Sequence, residues 1–281
     1  MAKTLTQVQI ERYKQTGCIY PIRVLSDDDV NQYRTQLDGL QALNAAGGRQ
    51  SIPHKPYLQL TWLAELVRNP RILDAVEDLI GEDILCWNAN FFIKEGRTPA
   101  HVTWHQDSTY FGLSSTDVVT AWIALTDSVQ ANGAMQFIPG SHVLDQLPHR
   151  ETLGADNLLS RGQEIMVDVD KAKSDTISLK AGEMSLHHCR LVHNSPPNAS
   201  EHRRVGFAVR YIPTSIKQTL GEDSATLVRG QDRYHHFNLE PRPARDFDPD
   251  VSESYRKVMA NNAKALYRAP AAGRDVSGGE R

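Results

Sequence analysis

The residues best suited to chemistry fall in two short stretches, Trp104-His105-Gln106-Asp107 and Cys189-Arg190-Leu191-Val192-His193-Asn194-Ser195. His105 and Asp107 are separated by one residue, and His193 follows His105 by 88 positions. On a β-strand, residues i and i+2 point to the same face, so one strand can offer an imidazole and a carboxylate to a single ion. A histidine from a distant strand would complete the two-nitrogen, one-carboxylate set of a mononuclear non-haem iron site, with its far side open. The pair alone is a weak signal. With 11 His and 21 Asp in 281 residues, composition supplies about one His-x-Asp by chance.

Arg204 stands eleven residues after His193 and opens the run Arg204-Val205-Gly206-Phe207-Ala208-Val209-Arg210. Period two puts Arg204, Gly206, Ala208 and Arg210 on one face and Val205, Phe207 and Val209 on the other. A face with a cation at each end and small residues between is either the floor of an anion-binding cavity or a solvated outer surface. On the first reading, Arg204 is suited to the remote carboxylate of an oxo acid chelated at the metal, because its planar fork pairs bidentately with carboxylates. His187 and His188 read as supporting residues rather than ligands.

The elements that must position these groups change texture along the chain. Up to residue 82 the pattern is helical: Leu5, Val8 and Tyr13 before Gly17; Val30, Tyr33, Leu37 and Leu40 behind a Ser26 cap; Ile72, Leu73, Val76, Leu79 and Ile80 behind Asn69-Pro70. Cys18 to Ile22 reads as an edge strand, since Pro21 cannot donate to a ladder. A loop through residues 52–57 carries His54 and Lys55 within reach of a substrate. Short β-rich runs follow at 84–94, around His105, and at 118–125, 135–138, 165–169, 176–179, 184–188 and 205–212. Asn132-Gly133 predicts a hairpin turn between two of them. The fold class is therefore mainly β with flanking α-helices, an antiparallel sandwich or jelly roll braced by the N-terminal helices. We expect one domain over 1–268: helices in 1–82, a β core over about 84–213, and a lid with a closing helix in 214–268. Tyr234-His235-His236-Phe237 belongs to the expected lid, and 269–281 reads as a disordered tail.

Composition excludes several classes. A net charge of −3 gives no basic footprint for nucleic acid. No apolar run approaches eighteen residues, so no membrane partner is expected, and the N-terminus lacks the apolar core of a secretory signal, which points to the cytoplasm. Cys18, Cys86 and Cys189 are too scattered for a disulfide framework or structural zinc site.

His105-Gln106-Asp107, Ala121-Trp122-Ile123-Ala124-Leu125-Thr126-Asp127, Asn132-Gly133, Ile138-Pro139-Gly140-Ser141-His142, His193-Asn194-Ser195 through Arg204, and Leu227-Val228-Arg229-Gly230-Gln231-Asp232 occur in a telling order. As a set they resemble the phytanoyl-CoA dioxygenase family, across roughly residues 5 to 245. The resemblance implies a double-stranded β-helix, the jelly roll or cupin-like barrel of Fe(II)- and 2-oxoglutarate-dependent oxygenases. It places ferrous iron on His105, Asp107 and His193, and the C5 carboxylate of 2-oxoglutarate on Arg204 with help from Ser195. Lys94 and Trp122 match positions lining the same cosubstrate. The implied reaction consumes O2, releases succinate and CO2, and hydroxylates an unactivated C–H. Asp107 also separates this chain from relatives similar to syringomycin-type chlorinases, which have alanine or glycine there, so hydroxylation is expected rather than chlorination.

Asn90 and Arg210 face the cavity by parity, and with Tyr110, Gln136 and His54 they are the expected substrate contacts. The expected substrate is a small polar or anionic molecule, such as an amino acid, an aminophosphonate or a natural-product intermediate. A long-chain acyl-CoA would want a basic groove that the sequence lacks. Two other readings stand beside this one. A cupin-like iron dioxygenase without 2-oxoglutarate is disfavoured by Ser195 and Arg204, and a catalytically silent barrel by the intact triad.

Overall fold

Local sequence chemistry sets the ends of the early elements. Helix α1 (Gln7–Thr16) starts at Thr6, which exchanges a reciprocal capping box with Gln9, and stops at Gly17 in the left-handed region (φ 77°). Strand β1 (Cys18–Arg23) leads to α2 (Asp27–Ala46), capped by Ser26 and Asp29, with three aspartates in its first turn where the helix dipole favours them. Helices α3 (Thr61–Leu66) and α4 (Pro70–Ile80) follow, the latter capped by Asn69. α3 is a single short helix that sequence periodicity does not reveal, because six residues hold fewer than two turns. A computed structural model describes residues 2–47, 54–152, 154–159, 162–168 and 170–266. The expected tail at 269–281, and Ile52 and Pro53 of the loop, lie outside the described residues.

The strands are β2 (Ile84–Lys94), β3 (Val102–His105), β4 (Val119–Ala124), β5 (Gln136–Phe137), β6 (His149–Glu151), β7 (Gln163–Ile165), β8 (Asp175–Thr176), β9 (Glu183–His188), β10 (His193–Ser195), β11 (Arg204–Pro213), β12 (Ser224–Arg229) and β13 (Asn238–Leu239). Helix α5 (Pro249–Leu266) closes the described chain. Seven strands form one sheet in the order β1-β9-β4-β11-β2-β12-β13, and four form another in the order β3-β10-β5-β8. This is the double-stranded β-helix architecture, built from two separate ladders rather than a hydrogen-bonded closed barrel. Among the described residues no helix is long and apolar enough to cross a membrane.

β11 explains why the sheets enclose a site. Val205, Phe207 and Val209 share one buried apolar cluster with Leu63, Leu66, Leu73 and Val76 of α3 and α4. Each such buried side chain contributes about 1.5–3 kcal/mol. On the opposite face, Ala208 joins Trp122 of β4 in a cluster with Phe137 of the smaller sheet. The interior between the sheets is thus apolar at one end and open to polar residues where Arg204 and Arg210 point inward.

Three expectations are corrected. Asn132-Gly133 does not close a hairpin: Asn132 ends a 3-10 turn, Gly133 takes φ 74°, and the chain crosses to the other sheet, where β5 pairs with β10 and β8. The β-like run expected at 165–169 ends at Ile165, and Met166 and Val167 are exposed. The run at 176–179 contributes only Thr176 to a strand, after which Leu179 makes an isolated bridge to Ser128. β6 and β7 pair antiparallel as a separate two-stranded ladder.

Candidate metal centre

The smaller sheet sets the two imidazoles side by side. β3 and β10 run antiparallel with His105 directly opposite His193, and the rings lie 4.1 Å apart between centroids. β3 ends at His105; Gln106 stays extended, and Asp107 opens a 3-10 turn to Tyr110. The carboxylate is therefore presented by a turn, while the extended backbone at Gln106 preserves the alternation that returns it to the side of His105. One ligand atom from each of His105, Asp107 and His193 can be chosen so that all lie within 4.8 Å of one another, and all three side chains are buried.

Hydrogen bonding fixes which nitrogens remain available. His105 Nδ1 faces the Thr103 carbonyl at 2.9 Å and His193 Nδ1 faces the Leu191 carbonyl at 2.8 Å, so each Nδ1–H donates and each Nε2 keeps its lone pair. His105 Nε2 then meets Asp107 Oδ1 at 3.2 Å, two acceptors facing each other. A shared cation relieves that repulsion. Burial pushes the Asp107 carboxyl up, but Arg210, the His105 contact and His193 together hold it well below the usual carboxylate range. Burial and the neighbouring His105 hold His193 well below the usual histidine value. An ionised carboxylate and two neutral imidazoles are the donor set a divalent iron takes.

Gln106, between two of these residues, was not singled out in the sequence, and it is fully buried. Its Nε2 donates to Arg190 O (2.9 Å), its Oε1 accepts from Leu147 N (2.8 Å), and its backbone N–H donates to His149 Nε2 (3.0 Å). It ties the end of β3 to the loops on both sides.

The second cluster lies in the same cavity. Arg204, Ser195 and Trp122 line it with the triad. Arg204 is 2% exposed and donates to Ser195 Oγ (3.0 Å) and to Gly133 O, while its guanidinium carbon sits 5.3 Å from the centroid of the Trp122 ring. Its Nε has no partner. Lys94 is fully buried and donates to Ser195 Oγ (2.6 Å), Ser195 O (3.0 Å) and Pro196 O. Burial, with Arg204 beside it, pushes the Lys94 ammonium down to about 6, and burial lowers Arg204 to about 10. No carboxylate of the described residues forms an ion pair with either cation. Two glycines make this packing possible: a Cβ on Gly206 would stand 1.9 Å from Trp122, and one on Gly133 would stand 2.2 Å from the Pro196 carbonyl.

The remaining candidates divide. Arg210 lines the cavity 3.9 Å from Asp107 Oδ2, and Asn90 accepts a hydrogen bond from it. Tyr110 ends the turn that Asp107 begins, and Gln136 sits in β5; neither is among the cavity-lining residues. His54 is exposed, on a turn whose carbonyl accepts from Tyr255 at 3.2 Å. Lys55, expected near a substrate, is instead buried in an ion pair with Glu240 at 2.6 Å. His187 does line the cavity, whereas His188 points away and packs against His142. Trp87 and Phe111 pack on each other, with ring centroids 4.8 Å apart.

Comparison with known proteins agrees with this geometry. The family model for phytanoyl-CoA dioxygenase (PhyH) matches residues 13–206. A probable alpha-ketoglutarate-dependent hypophosphite dioxygenase of Stutzerimonas stutzeri is 31% identical over 168 residues, covering 59% of this chain but only 58% of that protein. L-proline trans-4-hydroxylase of Streptomyces griseoviridis is 23% identical over 224 residues, 71% of this chain and 84% of that one. The solved apo structure of the non-heme monooxygenase ThoJ superposes with a TM-score of 0.83 at 34% identity, covering 92% of this chain and 97% of that one. With the matched region holding His105, Asp107, His193 and Arg204, the chain belongs to the phytanoyl-CoA dioxygenase family.

Proposed function

We propose that this chain is an Fe(II)- and 2-oxoglutarate-dependent dioxygenase that hydroxylates an unactivated C–H of a small polar metabolite. The observation that carries this reading is one cavity holding two groups of incomplete partners. His105 and His193 turn free Nε2 lone pairs toward the ionised Asp107, and Arg204, its Nε unpartnered, forms a buried cationic end without a carboxylate. The first group wants a cation and the second a carboxylate, and a 2-oxo diacid bound to a metal provides both at once.

Ferrous iron, when bound, supplies the coordination sites and electrons for activating O2 against a C–H bond. The protein's part is positional. His105 and His193 are locked in one tautomer by backbone carbonyls. Arg204 and Ser195 grip the far carboxylate of the cosubstrate, Lys94 braces Ser195, and Trp122 covers the arginine. Phe92, Val102, Met135 and Ala208 give the cavity an apolar wall that excludes water. The similarity to a hydroxylase of proline and a dioxygenase of hypophosphite supports a small substrate over a lipid thioester. Residues 1–268 act as one oxygenase domain on this reading. Its three cysteines are buried free thiols, which supports work in the reducing cytoplasm.

Anaerobic reconstitution tests the proposal. Protein loaded with Fe(II) and 2-oxoglutarate is expected to develop the visible metal-to-ligand charge-transfer band of a chelated oxo acid, and His105→Ala and Asp107→Ala to abolish hydroxylation. A loaded wild-type protein without that band would overturn the reading.

A further inference from the structure

Four polar residues form a row across the inner face of the large sheet. His187 of β9 is opposite Thr120 of β4, Thr120 is opposite Arg210 of β11, and Arg210 is opposite Asn88 of β2. The row runs beside the candidate metal ligands: Thr120 Oγ1 donates to Asp107 Oδ2 (3.4 Å), and His187 Nε2 lies 4.0 Å from the same oxygen. Its members are conspicuously unsatisfied. Arg210 Nε, His187 Nδ1 and Asn88 Oδ1 are each buried with no hydrogen-bond partner. Native interiors seldom leave such groups unpaired, because burying a polar group without a partner forfeits its hydration with nothing in return.

Charge points the same way. A divalent metal on the triad and a dianionic cosubstrate on Arg204 cancel each other, and Asp107 offsets one arginine. At least one buried positive charge is left, with Arg210 beside the metal and beyond hydrogen-bond length from Asp107. An uncompensated charge in a closed cavity is strongly disfavoured until a counter-ion arrives.

We propose that this row is the substrate subsite and that it takes a small organic oxyanion, a carboxylate or phosphonate. Arg210 pairs with the anionic group, His187 donates to it, Asn88 Oδ1 accepts from a neighbouring hydroxyl or amine, and the adjacent C–H faces the metal. The proposal rests on the iron and 2-oxoglutarate reading above. The subsite lies six residues from Arg204 along β11, so the two arginines divide the work between substrate and cosubstrate.

The test uses the full chain loaded anaerobically with Fe(II) and 2-oxoglutarate, with the charge-transfer band as the measure of an intact centre. Propionate, methylphosphonate and the neutral isostere propionamide are titrated by calorimetry. At least one anion is expected to bind tenfold or more tightly than propionamide without bleaching the band, and the tighter anion identifies the oxyanion type. Arg210→Met is expected to weaken that anion at least tenfold while the 2-oxoglutarate titration stays within threefold of wild type, and Arg210→Lys to recover part of the loss. His187→Phe is expected to weaken the anion by a smaller factor with the band retained. Equal binding of propionamide, loss of the band on adding anion, or an Arg210→Met defect as large for 2-oxoglutarate as for the anion would each overturn the subsite. Failure of wild type to form the band removes the underlying function and the subsite with it. A normal band with no anion binding removes the subsite alone.

Discussion

On the proposed reading, Arg204 and Lys94 differ in what they would bring to the cosubstrate carboxylate. Arg204 stays charged at neutral pH and offers a planar fork, so Arg204→Ala should cost about 2 kcal/mol, roughly a thirtyfold loss of 2-oxoglutarate affinity in a titration of the charge-transfer band. Arg204→Lys should recover little, because a single ammonium cannot reproduce the fork. Lys94 begins from about 6, so at about pH 8 it is mostly neutral before the cosubstrate arrives. A carboxylate nearby favours the charged form and raises that value, so binding at about pH 8 should be accompanied by net proton uptake. Calorimetry in buffers of different ionisation enthalpy measures the uptake, and Lys94→Met should abolish it. At this scale the sequence was informative wherever spacing encodes chemistry. The single residue between His105 and Asp107, and the eleven from His193 to Arg204, survive whatever turns intervene. His187 was harder to place, because β9 ends at His188 and the chain turns before His193 starts a strand in the other sheet. Alternation counted back from His193 therefore says nothing about His187, whose inward direction follows from its place on β9. Gln106 carried no signal, since a buried glutamine that anchors loops has no spacing rule.

At the level of elements, β11 was legible because its alternation is strict and its two faces differ so much in polarity. What the sequence did not convey is how closely the neighbouring strand approaches. Trp122 packs against Gly206, where even a methyl group would meet its ring at 1.9 Å. Gly206→Ala must displace the indole or the strand and should cost about 1–3 kcal/mol. A lower melting temperature together with weaker 2-oxoglutarate binding is the expected result, since Trp122 covers Arg204. Loss of stability with unchanged cosubstrate affinity would separate the packing role of Trp122 from its role at the arginine. The Asn132-Gly133 turn illustrates the opposite case. Its residues are suited to a left-handed turn, and Gly133 adopts one, but the same turn chemistry serves a hairpin or a crossover between sheets. Pairing is decided by long-range contacts. Here Ser195 and Arg204 both donate to the Gly133 carbonyl, so the turn is held at the site and β5 continues into the smaller sheet.

Across the whole molecule, the order of helices and then short strands was enough to expect a jelly roll, while the division of strands between sheets depended on partners distant in sequence. The clearest such partner set is the buried pair Lys55–Glu240. Lys55 donates to Glu240 Oε1 (2.6 Å) and Ser224 O (2.7 Å), and Tyr57, Ser224 and Thr226 donate to the same carboxylate. The backbone N–H of Lys55 also donates to Ala89 O (2.9 Å), so this network fastens the turn after the first helices to β2, β12 and the segment following β13. The sequence offered Lys55 only as a polar loop residue, because 185 positions separate it from the carboxylate that buries it. Removing one partner leaves a charge buried without its counter-ion, so Lys55→Met should cost about 3–5 kcal/mol in urea unfolding. Glu240→Gln should cost less, because the amide retains an acceptor for the hydroxyls, although it leaves the lysine charge unopposed. The double variant Lys55→Met/Glu240→Gln should be more stable than the sum of the single losses predicts, since the two charges leave together. Strict additivity would mean that the pair is not coupled and that the hydroxyl network alone holds these segments together.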